Sequence, residues 1–247
     1  MEDGILEATC SPLLPVVGID RGVKVALALS DGRMLNQTFT DDAETGRAKK
    51  LQRRAARQHG PRTAKGGRRQ PSKRWQRTQK QLAKIAARQR RRRDDFTGKT
   101  ATELTRTHSV VVLEDLKTAN MTRRAKPVPD PERPGAFLPN RAAQKSGLNR
   151  AILAKGWGKF LLALTHQACY TGTQIILVPA AFTSQRCHQC GYTSSENRES
   201  QAVFLCTRCG HTANADLNAA HNILAAGLAA TGRGSPGTSG SVNHQAA

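Results

Sequence analysis

Two C-x-x-C pairs constrain this chain more than any other feature: Cys187 with Cys190, and Cys206 with Cys209, with 15 residues between the pairs. Each pair is followed directly by a glycine, Gly191 and Gly210. Such a string turns the backbone tightly enough to aim two thiolates at one point. Two of them can close tetrahedrally around Zn²⁺ at Zn–S distances of ~2.3 Å. The stretch between the pairs ends in the apolar Val203-Phe204-Leu205, which suits a ribbon hairpin. The four cysteines are therefore expected to hold a structural zinc ion. His188 and His211 flank the knuckles, but four thiolates already complete the shell, so neither is assigned as a ligand. Cys10 and Cys169 stand alone and are expected to be inert.

Disulfides are the rival use of paired cysteines, and the rest of the chain argues against them. No apolar run reaches the ~18 residues that a membrane-spanning helix needs. The start, MEDGILEATCSPLLP, lacks the basic segment and apolar stretch of a secretory signal. A reducing cytoplasmic compartment, a prokaryotic-type cytosol or nucleoid, is the expectation, and there metal ligation is the common role of such cysteines.

The charge is as unevenly placed as the cysteines. The chain has 247 residues with 39 Lys+Arg and 18 Asp+Glu, a net +21. Between Arg47 and Arg93 lie 20 of those basic residues and no acid, which leaves 19 basic and 18 acidic residues for the rest. This excludes a uniformly basic coat protein or a histone-like tail. It implies a near-neutral globular body carrying one cationic insertion, with a polyanion as its partner. Arg53, Arg54, Arg57, Arg68, Arg69, Lys73, Arg74, Arg77, Lys80, Lys84, Arg88, Arg91 and Arg92 are the candidate nucleic-acid contacts. Trp75 is the only aromatic residue in the window, so backbone gripping is expected more than base stacking or sequence readout.

Three apolar runs follow one another from Leu14 to Thr40, with an Asp31-Gly32 turn signal, and read as an antiparallel meander with Asp20 ending its first strand. Helices are expected from Lys49 to Gln58 and from about Ser72 to Arg106. Leu82, Ile85, Phe96 and Leu104 are the only sizeable apolar residues of the second, which makes it a solvated or ligand-facing arm. Ser109–Leu113 is a continuous β-branched run, as in a strand buried on both faces, and leads into Glu114. Thr122–Asn140, with five prolines, is expected to be a mobile loop, Gly147–Tyr170 one helix, Gln174–Val178 a strand, and Ala215–Ala229 an Ala-rich helix. The Gly/Ser/Pro-rich tail from Thr231 is expected to be disordered.

Asp20 and Glu114 thus end strands, and Asp216 opens a helix. Acids so placed can converge, and converging carboxylates repel and protonate unless a divalent cation neutralises them, so Mg²⁺ or Mn²⁺ is the implied ligand. Two such ions suit in-line attack on a phosphodiester. Solvated side chains are the plainer explanation of the same three positions.

The strings GIDRGVKVALALSDG, VVLEDLKTANM and CHQCGYTSSENRESQAVFLCTRCGHTANADLNAAHNIL resemble the three nuclease motifs and inserted zinc ribbon of the TnpB/OrfB proteins of insertion sequences, related to the type V CRISPR effectors. GLNRAILAKGWGKF and PAAFTSQRC are also similar to that family, and the resemblance runs from about Val16 to Leu224. It implies an α/β fold with an RNase H-like (RuvC) mixed sheet flanked by helices, a long basic helical insertion beside the cleft, and an inserted zinc ribbon. It also implies a metal-dependent DNA endonuclease that works with a guide RNA. The family's catalytic, Mg²⁺-binding acids fall on Asp20, Glu114 and Asp216, and its zinc ligands on the four cysteines.

The family places a long wedge and recognition region ahead of the first motif, and about 15 residues precede Val16 here, so a truncated form is expected. The resulting partition is a remnant at 1–14, motif I strands at 15–44, the basic insertion at 45–107, motif II with its loop, helix and strand at 108–182, the ribbon at 183–212, the motif III helix at 213–229 and the tail at 230–247. Two alternatives stay open. A DDE-type transposase would share fold and metals but ends its motif order with Glu, and a zinc-ribbon nucleic-acid binder would use none of the three acids.

Overall fold

The computed structural model describes residues 14–58, 71–200 and 202–232. Contacts divide the chain into two compact units, one comprising Gln37–Thr100 and the other the remainder.

The larger unit is built on a five-stranded mixed sheet in the order β3-β2-β1-β4-β7. β1 (Val16–Asp20), β4 (Val110–Glu114) and β7 (Gln174–Val178) run parallel. β2 (Leu27–Leu29) and β3 (Met34–Leu35) complete the expected antiparallel meander. The β-branched run of β4 is buried at every residue, as a central parallel strand flanked by β1 and β7 requires. Val110, Val112 and Val178 form an apolar cluster with Ile223 of α6 (Ala215–Ala230). Full burial of such a side chain contributes roughly 1.5–3 kcal/mol.

α6 approaches the sheet unusually closely, and two glycines permit it. A Cβ on Gly18 of β1 would lie 2.3 Å from the Ala220 carbonyl oxygen, and one on Gly227 of α6 would lie 2.5 Å from both γ-carbons of Val112. Each glycine is therefore a point at which helix and sheet come closer than any side chain would allow.

The expected single helix over Gly147–Tyr170 is two: α4 (Ala142–Lys155) and α5 (Trp157–Thr171). Gly156, at φ 71°, interrupts them, and α5 then buries Trp157, Phe160, Leu164 and Ala168. The proline-rich stretch expected as a mobile loop follows α3 (Thr118–Met121) and contains a small hairpin of β5 (Val128–Pro129) and β6 (Phe137–Leu138). No helix among the described residues is long and apolar enough to cross a membrane. Cys10 and the tail from Arg233 lie outside the described residues.

The smaller unit contains α1 (Asp42–Gln58) and most of α2 (Lys73–Thr107), whose residues from Ala101 belong to the larger one. α1 starts seven residues earlier than the periodicity suggests, because the Asp41 carboxylate accepts from the Ala43 and Glu44 amides as a cap. The helices expected as a solvated or ligand-facing arm also bury an apolar interior: Leu51, Ala55 and Ile85 are buried, and Phe39 packs edge-on against Phe96 at 5.4 Å.

Candidate functional site

The sheet register sets two of the three acids side by side. Ile19 pairs with Leu113, so one step on Asp20 stands beside Glu114 at the C-terminal ends of parallel neighbours, on strands about 4.8 Å apart across the sheet. Side chains alternate along a strand, so Asp20 shares the face of Gly18 and Glu114 that of Val112. Those are the positions on which α6 is docked. The third acid, Asp216, lies in the first turn of α6, where the Asn214 side chain accepts from the amides of Asp216 and Leu217 and fixes the helix start. The three carboxylates thus come from β1, β4 and α6 on one side of the sheet.

Their electrostatics record the convergence. Burial, then Glu114, then Asp216 push the Asp20 carboxyl up to about 7, against the opposing pull of Arg198 and the Arg21 amide. Glu114 and Asp216 are also raised by burial. Arg198 stands 4.0 Å from Asp216 and offsets part of that penalty. Arg21 donates to the Glu114 carbonyl oxygen from within the core. An all-oxygen donor set that retains a proton near neutral pH without a cation is the chemistry a hard divalent ion fits.

The four cysteines form a second centre. Their sulfurs lie within 4.8 Å of one another, with Cys187 and Cys209 at 3.8 Å and Cys190 and Cys206 at 3.6 Å. Tetrahedral ligation at Zn–S ~2.3 Å calls for S···S near ~3.8 Å, so the set fits zinc. The knuckles are built alike. The Gly191 amide donates to the Cys187 carbonyl and the Gly210 amide to that of Cys206, each at 2.9 Å. Both glycines sit in the left-handed region, at φ 73° and 72°, which a side chain would strain. The hairpin of β8 (Val203–Leu205) and β9 (Thr212–Asn214) carries the second knuckle in its turn, and β9 runs straight into α6. Phe204 and Ala215 pack with Cys187 and Cys206, so ribbon and helix share one apolar cluster. His188 meets His211 edge-on and stacks on His221, with ring centroids 4.6 and 4.7 Å apart, and its ring nitrogen meets the Asn218 side chain.

Of the candidate basic contacts, Arg53, Arg54, Arg57, Lys73, Arg74, Arg77, Lys80, Lys84 and Arg91 are exposed. Arg88 and Arg92 are not free cations. Both grip the buried Glu44 carboxylate at 2.7 Å and hold it below the usual range. Glu44 lies just ahead of the acid-free window, which is why counting inside the window overlooked it. Arg68 and Arg69 lie outside the described residues.

Residues that no motif marks hold Glu114 and the segment beside it. The Thr183 hydroxyl donates to Glu114 Oε1 at 2.5 Å, and Asn218 and Asn222 of α6 bond the segment leading into Cys187. Two asparagines four apart in an otherwise Ala-rich helix were the available signal.

Residues 13–125, which carry Asp20 and Glu114, match the family model OrfB_IS605, "Probable transposase". Residues 157–223, which carry the cysteines and Asp216, match "Cas12f1-like, TNB domain". Over these stretches the chain is similar to the TnpB/OrfB family. Among curated proteins it is 36% identical over 219 residues to "Putative RNA-guided DNA endonuclease InsQ" of Escherichia coli (strain K12), covering 88% of this chain and 50% of InsQ. Over 60 residues it is 47% identical to "CRISPR-associated endodeoxyribonuclease Cas12f1" of Sulfoacidibacillus thermotolerans, 24% of this chain and 14% of that protein. The chain therefore spans about half the length of InsQ. Its fold is like that solved in the "Cas12f1-sgRNA-target DNA complex", with a TM-score of 0.51, 19% identity, and coverage of 87% of this chain and 50% of the other.

Proposed function

We propose that the chain is the catalytic portion of a metal-dependent DNA endonuclease of the RNA-guided TnpB type, with an RNase H-like sheet as its frame. The observation that carries this reading is the meeting of Asp20, Glu114 and Asp216 on the α6 side of that sheet, with Asp20 pushed up to about 7 by burial and by its two companions. Two Mg²⁺ ions at such a site would supply an activated water and stabilise the leaving oxygen of a phosphodiester. Asp20, Glu114 and Asp216 are the residues that would hold the ions, Asp20 in common and the other two one each. The cysteine ribbon holds zinc and braces the start of α6, and with it the position of Asp216. Exposed arginines and lysines of α1 and α2 grip the phosphates of the nucleic acid. The partners, DNA and a guide RNA, follow from what InsQ and Cas12f1 are named for.

The test is cleavage of labelled single-stranded and duplex DNA with Mg²⁺, with and without a supplied guide RNA, beside Asp20→Ala. Cutting by the wild type alone supports the proposal. Equal cutting by both proteins places the chemistry elsewhere. Binding without cutting under every condition favours a zinc-ribbon nucleic-acid binder.

A further inference from the structure

Glu114 ends a strand, and a glutamate there has three side-chain torsions with which to leave any fixed ligand position. One hydrogen bond restrains it. The Thr183 hydroxyl donates to Oε1 at 2.5 Å, while the Ala180 carbonyl lies 3.3 Å from the same hydroxyl as a weaker acceptor. Among the described residues no other side chain bonds this carboxylate. A charged acceptor draws the single hydroxyl proton toward itself. The bond uses one lone pair of Oε1 and leaves the rest of the carboxylate available. Thr183 is itself buried and β-branched, so its rotamer is stiff.

Thr183 does not hold its place alone. Its carbonyl accepts from Asn222 Nδ2 at 2.9 Å, and the same amide group donates to the Arg186 carbonyl at 2.6 Å. One turn earlier on the same helix face, Asn218 Nδ2 donates to Arg186 O at 2.7 Å and Asn218 Oδ1 accepts from the His188 amide at 3.1 Å. Asn218 is fully buried and Asn222 nearly so. Two carboxamides thus clamp the backbone from Thr183 to His188, a segment with Glu114 at one end and the first cysteine of the ribbon, Cys187, at the other. The clamping helix carries Asp216 in its first turn.

We propose that Thr183 is a positioning residue that fixes Glu114 for its divalent cation, and that Asn222 and the first zinc knuckle keep Thr183 in register. This rests on the carboxylate-site reading above. The ribbon then does more than brace α6: through Thr183 it also reaches the opposite side of the acidic site. Partners of metal ligands typically change affinity or activity by roughly 10–100-fold when removed.

The experiment is Mn²⁺ binding to the zinc-loaded chain, followed through the signal of free Mn²⁺, for wild type, Asp20→Ala, Thr183→Val, Thr183→Ser and Asn222→Ala. Zinc content and thermal midpoint are measured on each. Thr183→Val, nearly isosteric, is expected to bind Mn²⁺ roughly tenfold or more weakly at unchanged zinc content. Thr183→Ser, which keeps the hydroxyl, is expected to stay close to wild type. Asn222→Ala is expected to weaken binding, since it frees the Thr183 carbonyl. A Thr183→Val protein that binds as wild type does, or a Thr183→Ser protein that loses as much as Thr183→Val, overturns the proposal and leaves the acidic site standing. If Asp20→Ala binds Mn²⁺ as well as wild type, the carboxylate site and this proposal fall together.

Discussion

Asp20 carries the sharpest pH dependence expected of this molecule. Its carboxyl is raised from 3.8 to about 7, so folding favours the protonated form. A group raised in this way stabilises the fold fully below its unfolded value, and the contribution is lost as pH climbs through the native one. Over that window, from about 4 to about 7, metal-free protein should lose on the order of 4 kcal/mol. In zinc-loaded protein with no other divalent cation added, Asp20→Asn is therefore expected to melt above wild type at pH 8, with the gap closing at pH 4. Mg²⁺ should raise the wild-type midpoint at pH 8 and leave the variant unmoved. Thermal melts at the two pH values decide it, and coincident curves at pH 8 would mean that the carboxyl is not buried as described. At this scale the acids were legible because each sits where an element starts or stops, a local property. Thr183, Arg21 and Asn222 were not, since their partners are 69, 93 and 39 residues away and only apposition brings them together.

At the scale of elements, the Gly18 contact is what lets α6 lie on β1. Gly18→Ala would drive a methyl into the Ala220 carbonyl and the Leu224 amide, both backbone groups. Overpacking of this kind costs typically about 1–3 kcal/mol, and rigid obstacles put the change near the upper end, so a loss of about 3 kcal/mol in chemical denaturation is expected. The ribbon gives a second test. Cys206→Ser should lower bound zinc well below one per chain. Because Ala215 packs in the ribbon cluster, it should also speed hydrogen exchange at the Asp216 and Leu217 amides that Asn214 caps. Unchanged exchange in a zinc-depleted protein would uncouple ribbon from helix. The ribbon's knuckles and the buried strand were plain in the sequence, since spacing and β-branching act over a few residues. The division at Gly156 was not. The apolar residues on either side of it keep helical spacing, and only the left-handed φ of that one glycine separates two helices.

For the whole molecule, the uneven charge sets how binding answers to salt. Each phosphate neutralised on duplex DNA adds about −0.9 to the slope of log affinity against log salt. Reversing Arg53, Arg54, Arg57 and Lys84, all exposed, should flatten that slope by about 3 to 4 if each meets a phosphate. Reversing Arg88 or Arg92 should instead melt the smaller unit, since Glu44 would face a like charge in place of its partner. Fluorescence anisotropy across a salt series separates the two outcomes. Composition revealed the insertion but could not reveal its core, because Leu51, Ala55 and Ile85 are too sparse to stand out among so many charges.

The order of the elements has a consequence for how such a chain is made. Asp20 and Glu114 emerge from a ribosome long before Asp216, which opens the last helix described. A nascent chain that has reached Cys209 holds two of the three acids and all four cysteines, and the third acid is still to be translated. A carboxylate site assembled in this order stays incomplete until Asp216, its last member, is translated.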